Sequence, residues 1–135
     1  MEINSFDDLL RAAHAQPEPQ RLLFVFAVAE LPDDATPAQR AQFEAGHGGA
    51  LVPRMYVDKE PHELDSFAAL VREAAQFDQG EWDMVFAAAL PGTQHQAPTS
   101  ADAEAPLQAM VEAIRAGQMG NYIPFNRQGV PVQLS

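Results

Sequence analysis

The chain contains no cysteine in its 135 residues. This absence excludes disulfide bonds, thiolate catalysis, cysteine-ligated zinc and iron–sulfur clusters. Long apolar runs are also missing, since the longest, Leu22–Ala29, is too short to cross a bilayer. The first ten residues, MEINSFDDLL, lack the basic and apolar regions of a signal peptide. We therefore expect a cytoplasmic protein that does not enter the membrane.

Basic residues are scarce. There are 8 Lys and Arg against 19 Asp and Glu, which gives a formal net charge of −11. A surface of that sign repels phosphate backbones, so we expect neither nucleic acid nor an anionic membrane as a partner. Apolar residues make up 47% of the chain, enough to form a core in one α/β domain covering residues 1–135.

Two segments predict strands that are buried on both faces. In residues 22–31 and 82–90, both alternating sets of side chains are mostly apolar, as in a parallel sheet covered by helices on each side. Helices are predicted from Ser5, over about 37–45 and over 61–77, and the last begins near Ser100 or at Pro106. The sequence therefore predicts an α/β fold. We expect a mixed, mainly parallel sheet of about five strands, about four flanking helices and a C-terminal β-hairpin.

The tail YIPFNRQGVPVQLS carries the predicted hairpin, with NRQG as its turn. Pro53 similarly places the strand ALVPRMYVD near a sheet edge, because proline cannot donate to a ladder. An exposed hairpin edge could dock a partner by strand addition through Tyr122, Phe125 and Val130. The alternative is that these side chains pack under the last helix.

A local repeat suggests a second candidate site. VFAVAELP (25–32) and VFAAALP (85–91) both end in Leu-Pro before a polar loop and a helix. If the two strands were parallel neighbours, Glu30, Asp33, Asp34 and His95 would meet at one carboxyl edge, where α/β sheets bind ligands. Carboxylates beside an imidazole could then bind a metal or transfer protons. Alternatively, Asp33 and Asp34 only shape a turn before a capping box formed by Thr36, Pro37 and Gln39.

The remaining motifs predict no cofactor and no metal. The four histidines lie on separate elements without metal-ligand spacing. GHGG (46–49) runs from a helix into a strand, which is the wrong direction for a phosphate loop. The serines have no adjacent base.

Four segments together resemble a family of small, acidic, uncharacterised proteins of Gram-negative bacteria. They are LLFVFAVAELPDDATPAQRAQFEAGHGGALVP, VDKEPHELDSF, APTSADAEAPLQAMVEAI and YIPFNRQGVPVQ. Some members carry the label "ribonucleotide reductase subunit alpha". That chemistry needs a thiyl radical and a cysteine pair, and this chain has no cysteine. The resemblance implies no catalytic residues.

The sequence therefore favours a small cytosolic binding or protein-interaction module without catalytic activity, whose protein partner is unidentified. The alternative is a small hydrolase- or transferase-like enzyme with its site near Asp33, Asp34 and His95.

Overall fold

The computed structural model describes residues 3–31, 34–45, 50–77, 82–93, 95–118 and 120–132. Its elements, in chain order, are α1 (Phe6–His14), β1 (Gln20–Glu30), α2 (Pro37–Glu44), β2 (Ala50–Lys59), a 3₁₀ turn (Pro61–Glu63), α3 (Phe67–Phe77), β3 (Met84–Pro91), α4 (Ser100–Arg115) and β4 (Ile123–Phe125). Among these residues, no helix is both long and apolar enough to cross a membrane.

The described strands form a four-stranded sheet in the order β2-β1-β3-β4. Each strand runs antiparallel to its neighbours. The prediction of a mixed, mainly parallel sheet of about five strands is therefore wrong. Its premise was burial of β1 on both faces, and residues 22 to 27 are indeed all buried. Burial reports only that helices cover both faces; it carries no information on strand direction.

Two apolar clusters lie on opposite faces of the sheet. On the first face, α1 and α3 pack against alternate side chains of β1, including Leu22, Phe24 and Phe26. On the second face, α4 packs against the intervening set, which includes Leu23 and Val25. Phe6 lies at the centre of the first cluster, with its ring centroid 5.6 Å from that of Phe24 and 5.4 Å from that of Phe125. The result is a three-layer arrangement of helices, sheet and helix.

Local signals explain where α1 and α4 begin and end. The Ser5 side chain caps α1 by accepting from the Asp8 N–H, as predicted. Thr99 rather than Ser100 caps α4, in a capping box with Asp102. Of the two predicted starts for this helix the one near Ser100 is right, and Pro106 lies inside it. Gly117, at φ +75°, follows the last turn.

The helix predicted over 61–77 is shorter than expected. The chain forms a 3₁₀ turn at Pro61–Glu63, becomes extended at Leu64, and starts α3 at Phe67. The reason is Ser66, whose hydroxyl accepts from the Ala69 N–H and so makes a new helix start. In consequence Leu70 and Ala74 of α3 are buried, whereas Ala68 and Ala75 are exposed.

The two outer strands of the sheet differ in length. β2 has ten residues and β4 has three. β2 carries an irregularity: Phe26 aligns with Met55 and Ala27 with Pro53, so Arg54 is an extra residue. Beyond β4 the predicted turn is present, because the Gly129 N–H donates to the Asn126 carbonyl at 3.1 Å. The chain then returns to a single bridge between Phe125 and Pro131.

Candidate functional site

Of the predicted carboxylate and imidazole residues, Glu30 and His95 lie at opposite ends of the sheet. β1 and β3 pair in antiparallel register, with Gln20 opposite Pro91 and Ala27 opposite Met84. Glu30 therefore ends β1 beside the start of β3, while His95 follows the far end of β3. At roughly 3.3 Å per residue, about 33 Å of strand separates Glu30 from Gln20. The structure does not bring Glu30 and His95 together.

Asp34 follows Glu30 at the same end of the sheet, and Asp33 lies outside the described residues. Asp34 is exposed. Two residues later, the predicted capping box is confirmed: the Thr36 hydroxyl accepts from the Gln39 N–H at 3.2 Å, and Gln39 Oε1 accepts from the Thr36 N–H at 2.8 Å. Asp34 thus precedes the α2 N-terminus, which is the arrangement of the turn interpretation.

The three predicted interaction residues have different surroundings. Phe125 is 0% exposed and packs against Phe6, so it belongs to the core. Tyr122 is partly buried against the α4 cluster, as in the packing alternative. Val130 is 48% exposed, beside the turn. The tail therefore offers one exposed apolar side chain of the three, next to a three-residue edge strand.

A polar network joins β1, β2 and the start of α4. Arg21 Nε donates to Asp58 Oδ2 at 2.5 Å, and Arg21 Nη2 donates to Ser100 Oγ at 2.6 Å. The Ser100 hydroxyl donates in turn to Asp58 Oδ2 at 2.7 Å. Arg21 Nη1 donates to the Pro98 carbonyl at 3.2 Å and lies 3.8 Å from Glu60 Oε1. The Arg21 side chain is 11% exposed, so this cation is almost fully enclosed by its partners.

The network sets the charge state of Asp58. Partial burial acts to raise the pKa of this carboxyl group, but it is outweighed by the hydrogen bonds from Ser100 and Arg21 and by the charges of Arg21 and Lys59. The pKa of Asp58 therefore lies below its ordinary value of 3.8. A carboxylate held ionised between a guanidinium and a hydroxyl is a structural anion rather than a proton donor near neutral pH.

Beside this network lies a cleft of about 320 Å³, lined by His14, Glu18, Glu60 and His62 among others. This cleft combines carboxylates and imidazoles, as the predicted site would, but from residues other than Glu30, Asp34 and His95. His62 Nε2 lies 3.3 Å from Glu60 Oε2, and the His62 side chain is 73% exposed. Within the described part of the chain, no three potential ligands are placed to hold a metal ion.

The outer edge of β2 is a different kind of site. β2 is the first strand in the sheet order, so in the described ranges no strand pairs with its outer side. The Gly92 N–H donates to the Pro19 carbonyl at 2.9 Å, in line with the β1–β3 register. Odd-numbered residues of β1 therefore direct their backbone groups toward β3. Even-numbered residues direct theirs toward β2, because the direction alternates along a strand.

The register then shows which backbone groups of β2 face outward. The partners of the even-numbered β1 residues are Met55, Val57 and Lys59, which direct their N–H and C=O groups inward. Tyr56 and Asp58 alternate with them and direct theirs outward. Pro53 also falls at an outward position, which suits a residue without an N–H. Tyr56 is 46% exposed, and its hydroxyl accepts from Gln108 of α4 at 3.2 Å.

Sequence reasoning found Pro53 and the edge position of its strand but did not identify that edge as a candidate site. The available signal was the ten-residue length of β2 together with the apolar Val52, Met55 and Val57. The Arg21 network had no such signal, since its members are separated by up to 79 positions. Comparisons with protein-family models, curated proteins and solved structures find no match, so the family resemblance described above stays a prediction.

Proposed function

We propose that the protein is a non-catalytic interaction module that binds an extended, basic segment of a partner protein along the outer edge of β2. The observation that carries the proposal is the set of outward N–H and C=O groups at Tyr56 and Asp58, in a ten-residue edge strand without an outer neighbour among the described residues. An added strand would satisfy these groups directly. A cytoplasmic location is part of the same proposal.

The charge of the chain supports a basic partner rather than a second copy. Each molecule carries a formal net charge of −11, so two copies repel one another as they approach. A basic segment is attracted by the same field, which accelerates its association at low ionic strength. We therefore expect binding to weaken as salt is added.

The position of β2 supports a preformed docking edge. β2 is tied to β1 by nine aligned residue pairs and to α4 through the bond between Ser100 and Asp58. Lys59, at the end of the strand, pairs with Glu73 of α3. The strand is thus fixed on its inner side and by both helical layers, so a partner need not order it on binding. The enzyme alternative has no comparable support, because Glu30 and His95 lie at opposite ends of the sheet.

The test is Tyr56→Pro, which removes an outward N–H and leaves the inward ladder in place. The matched control is Tyr56→Val, which removes the same ring but keeps the N–H. All three proteins are immobilised, exposed to extract of the native cells at low salt, and compared for the proteins they retain. Far-ultraviolet circular dichroism and the melting temperature establish that each variant is folded.

We expect partners retained by the wild type and by Tyr56→Val to be lost from Tyr56→Pro. Those partners should contribute a segment rich in Lys or Arg, and they should be released at high salt. Equal retention by the wild type and by folded Tyr56→Pro would contradict the proposal. So would the absence of any retained protein at low salt.

A further inference from the structure

A second cleft, the arginine cleft, lies between the first turns of α3 and the turn that follows β4. Its volume is about 520 Å³, and it is lined by Asp7, Ser66, Phe67, Val71, Arg72 and Arg127 among others. Phe67 and Val71 are partly buried members of the first apolar cluster, so they give the cleft an apolar wall. The cleft is on the α1–α3 side of the sheet, away from α4.

Two arginines, Arg72 and Arg127, line the arginine cleft. Elsewhere in the described chain, ion pairs join Arg11 to Asp8, Arg21 to Asp58, Lys59 to Glu73, and Arg115 to Glu112. Neither Arg72 nor Arg127 makes an ion pair within the described ranges.

Arg127 is held in place by Trp82. Its guanidinium carbon lies 4.9 Å from the centre of the Trp82 ring, and its Nη1 donates to the Trp82 carbonyl at 2.9 Å. This cation–π contact and hydrogen bond fix the guanidinium plane, and the other N–H groups of Arg127 donate to no partner among the described residues. An arginine oriented in this way loses less side-chain entropy when it binds an anion.

From these observations we propose that the arginine cleft binds a carboxylate that carries an apolar group. Arg72 and Arg127 bind the carboxylate, and the apolar group packs on Phe67 and Val71. Together with Asp7, the two arginines carry a formal net charge of +1, which a monoanion neutralises and which a phosphate dianion would overcompensate. The ligand is either a free organic acid or the carboxyl terminus of a peptide.

Trp82 provides the readout because it is the one tryptophan of the chain and lies against Arg127. The probe is 4-methylpentanoate, which does not absorb where tryptophan is excited. Its neutral counterpart is 4-methylpentanamide, and inorganic phosphate tests the dianion. Each is titrated at constant ionic strength while Trp82 emission and the NMR signals of the arginine Nε–H groups are followed.

We expect saturable changes with 4-methylpentanoate at Trp82 and at both arginines. The affinity for the amide or for phosphate should be lower by about tenfold or more, since a bond to a charged group contributes over 1.4 kcal/mol. Arg72→Gln should lower the affinity for 4-methylpentanoate by a similar factor. Arg127→Lys keeps the charge but loses the planar fork, so it should also bind more weakly.

Arg115→Gln is the matched control. It removes one positive charge from the end of α4, where the side chain is 63% exposed, and should change affinity by no more than about twofold. A peptide ending in leucine, with a free or an amidated carboxyl terminus, distinguishes the two sources: tighter binding of the free-terminus peptide than of 4-methylpentanoate assigns the site to peptides, and the reverse order assigns it to free acids.

Three results would overturn the proposal. The first is a lack of saturable change in both Trp82 emission and the arginine signals at millimolar probe. The second is an affinity for the amide or for phosphate equal to that for 4-methylpentanoate. The third is an equal loss of affinity in Arg115→Gln and Arg72→Gln, which would show a general charge effect.

Discussion

Arg21 of β1 and Asp58 of β2 form an ion pair across the sheet, with 2.5 Å between Arg21 Nε and Asp58 Oδ2. The Ser100 hydroxyl donates to the same oxygen, so the pair also anchors the first turn of α4. Asp58 therefore links three elements, and it lies in the strand whose outer edge we propose as the docking site. The charge of one carboxyl group therefore contributes to the stability of that strand.

This dependence predicts a loss of stability in acid. A carboxyl group whose pKa is lower in the folded than in the unfolded chain stabilises the fold when the pH is above its pKa in the unfolded chain. This contribution disappears as the pH falls through its pKa in the folded chain. The contribution of Asp58 to stability is thus present above about pH 3.8 and is lost as the pH falls below that value. Urea unfolding at a series of pH values across this range should show a falling free energy of unfolding.

Asp58→Asn isolates this contribution. At neutral pH the substitution should lower the free energy of unfolding by about 2 kcal/mol, because it leaves the enclosed Arg21 without a charged partner. In acid, the difference between variant and wild type should shrink. Asp8 and Asp102 are present in both proteins, and their pKa values are also lowered, by hydrogen bonds from the backbone N–H groups of Asn4 and Thr99. Their effect on stability in acid is therefore common to the variant and the wild type. A difference that stays constant with pH would contradict the account.

Gly129 is predicted to be the most sensitive of three glycines. It adopts φ +76°, and a Cβ atom there would lie 3.0 Å from the Phe67 ring. Gly129→Ala should lower the free energy of unfolding by about 1–3 kcal/mol. Gly117 has a similar φ but open space, so Gly117→Ala should cost about 1 kcal/mol. Gly120 has neither feature, and Gly120→Ala should be neutral within about 0.5 kcal/mol in urea unfolding.

The capping boxes of α2 and α4 should differ in their effect on global stability. α4 buries five side chains, whereas α2 buries none. Thr99→Ala should therefore lower the free energy of unfolding by about 1 kcal/mol. Thr36→Ala should change it by less than about 0.5 kcal/mol, because α2 can unfold locally without exposing the core. Carbon chemical shifts of α2 should nevertheless report a loss of helix. Equal global effects would show that α2 is coupled to the core.

Local features of the fold were predictable because their causes are local. The α1 stripe of Phe6, Leu9, Leu10 and Ala13 follows from helical spacing, and all four are buried. The Thr36 capping box follows from three neighbouring residues. Strand direction has no such local cause. β1 and β3 are apolar on both faces whichever way they run. Their relative direction is set by the path of the chain between them.

The candidate sites were less predictable, since they depend on that direction. The expected meeting of Glu30 and His95 requires two similar strands to run parallel, whereas β1 and β3 run antiparallel. Arg21 and Asp58, by contrast, are 37 positions apart and come together through the β1–β2 register. The sequence is compatible with either docking or packing of the Phe125 side chain. In the structure, Phe125 packs against Phe6 and is buried.

The most direct test of the docking edge is residue-resolved amide hydrogen exchange along β2 in dilute protein. The account predicts slow exchange at Met55, Val57 and Lys59, whose N–H groups face β1. It predicts fast exchange at Tyr56 and Asp58, whose N–H groups face outward, and selective slowing of these two when a partner retained at low salt is added. Uniformly slow exchange at Tyr56, Val57 and Asp58 in the protein alone would contradict the account, because the edge would already be covered.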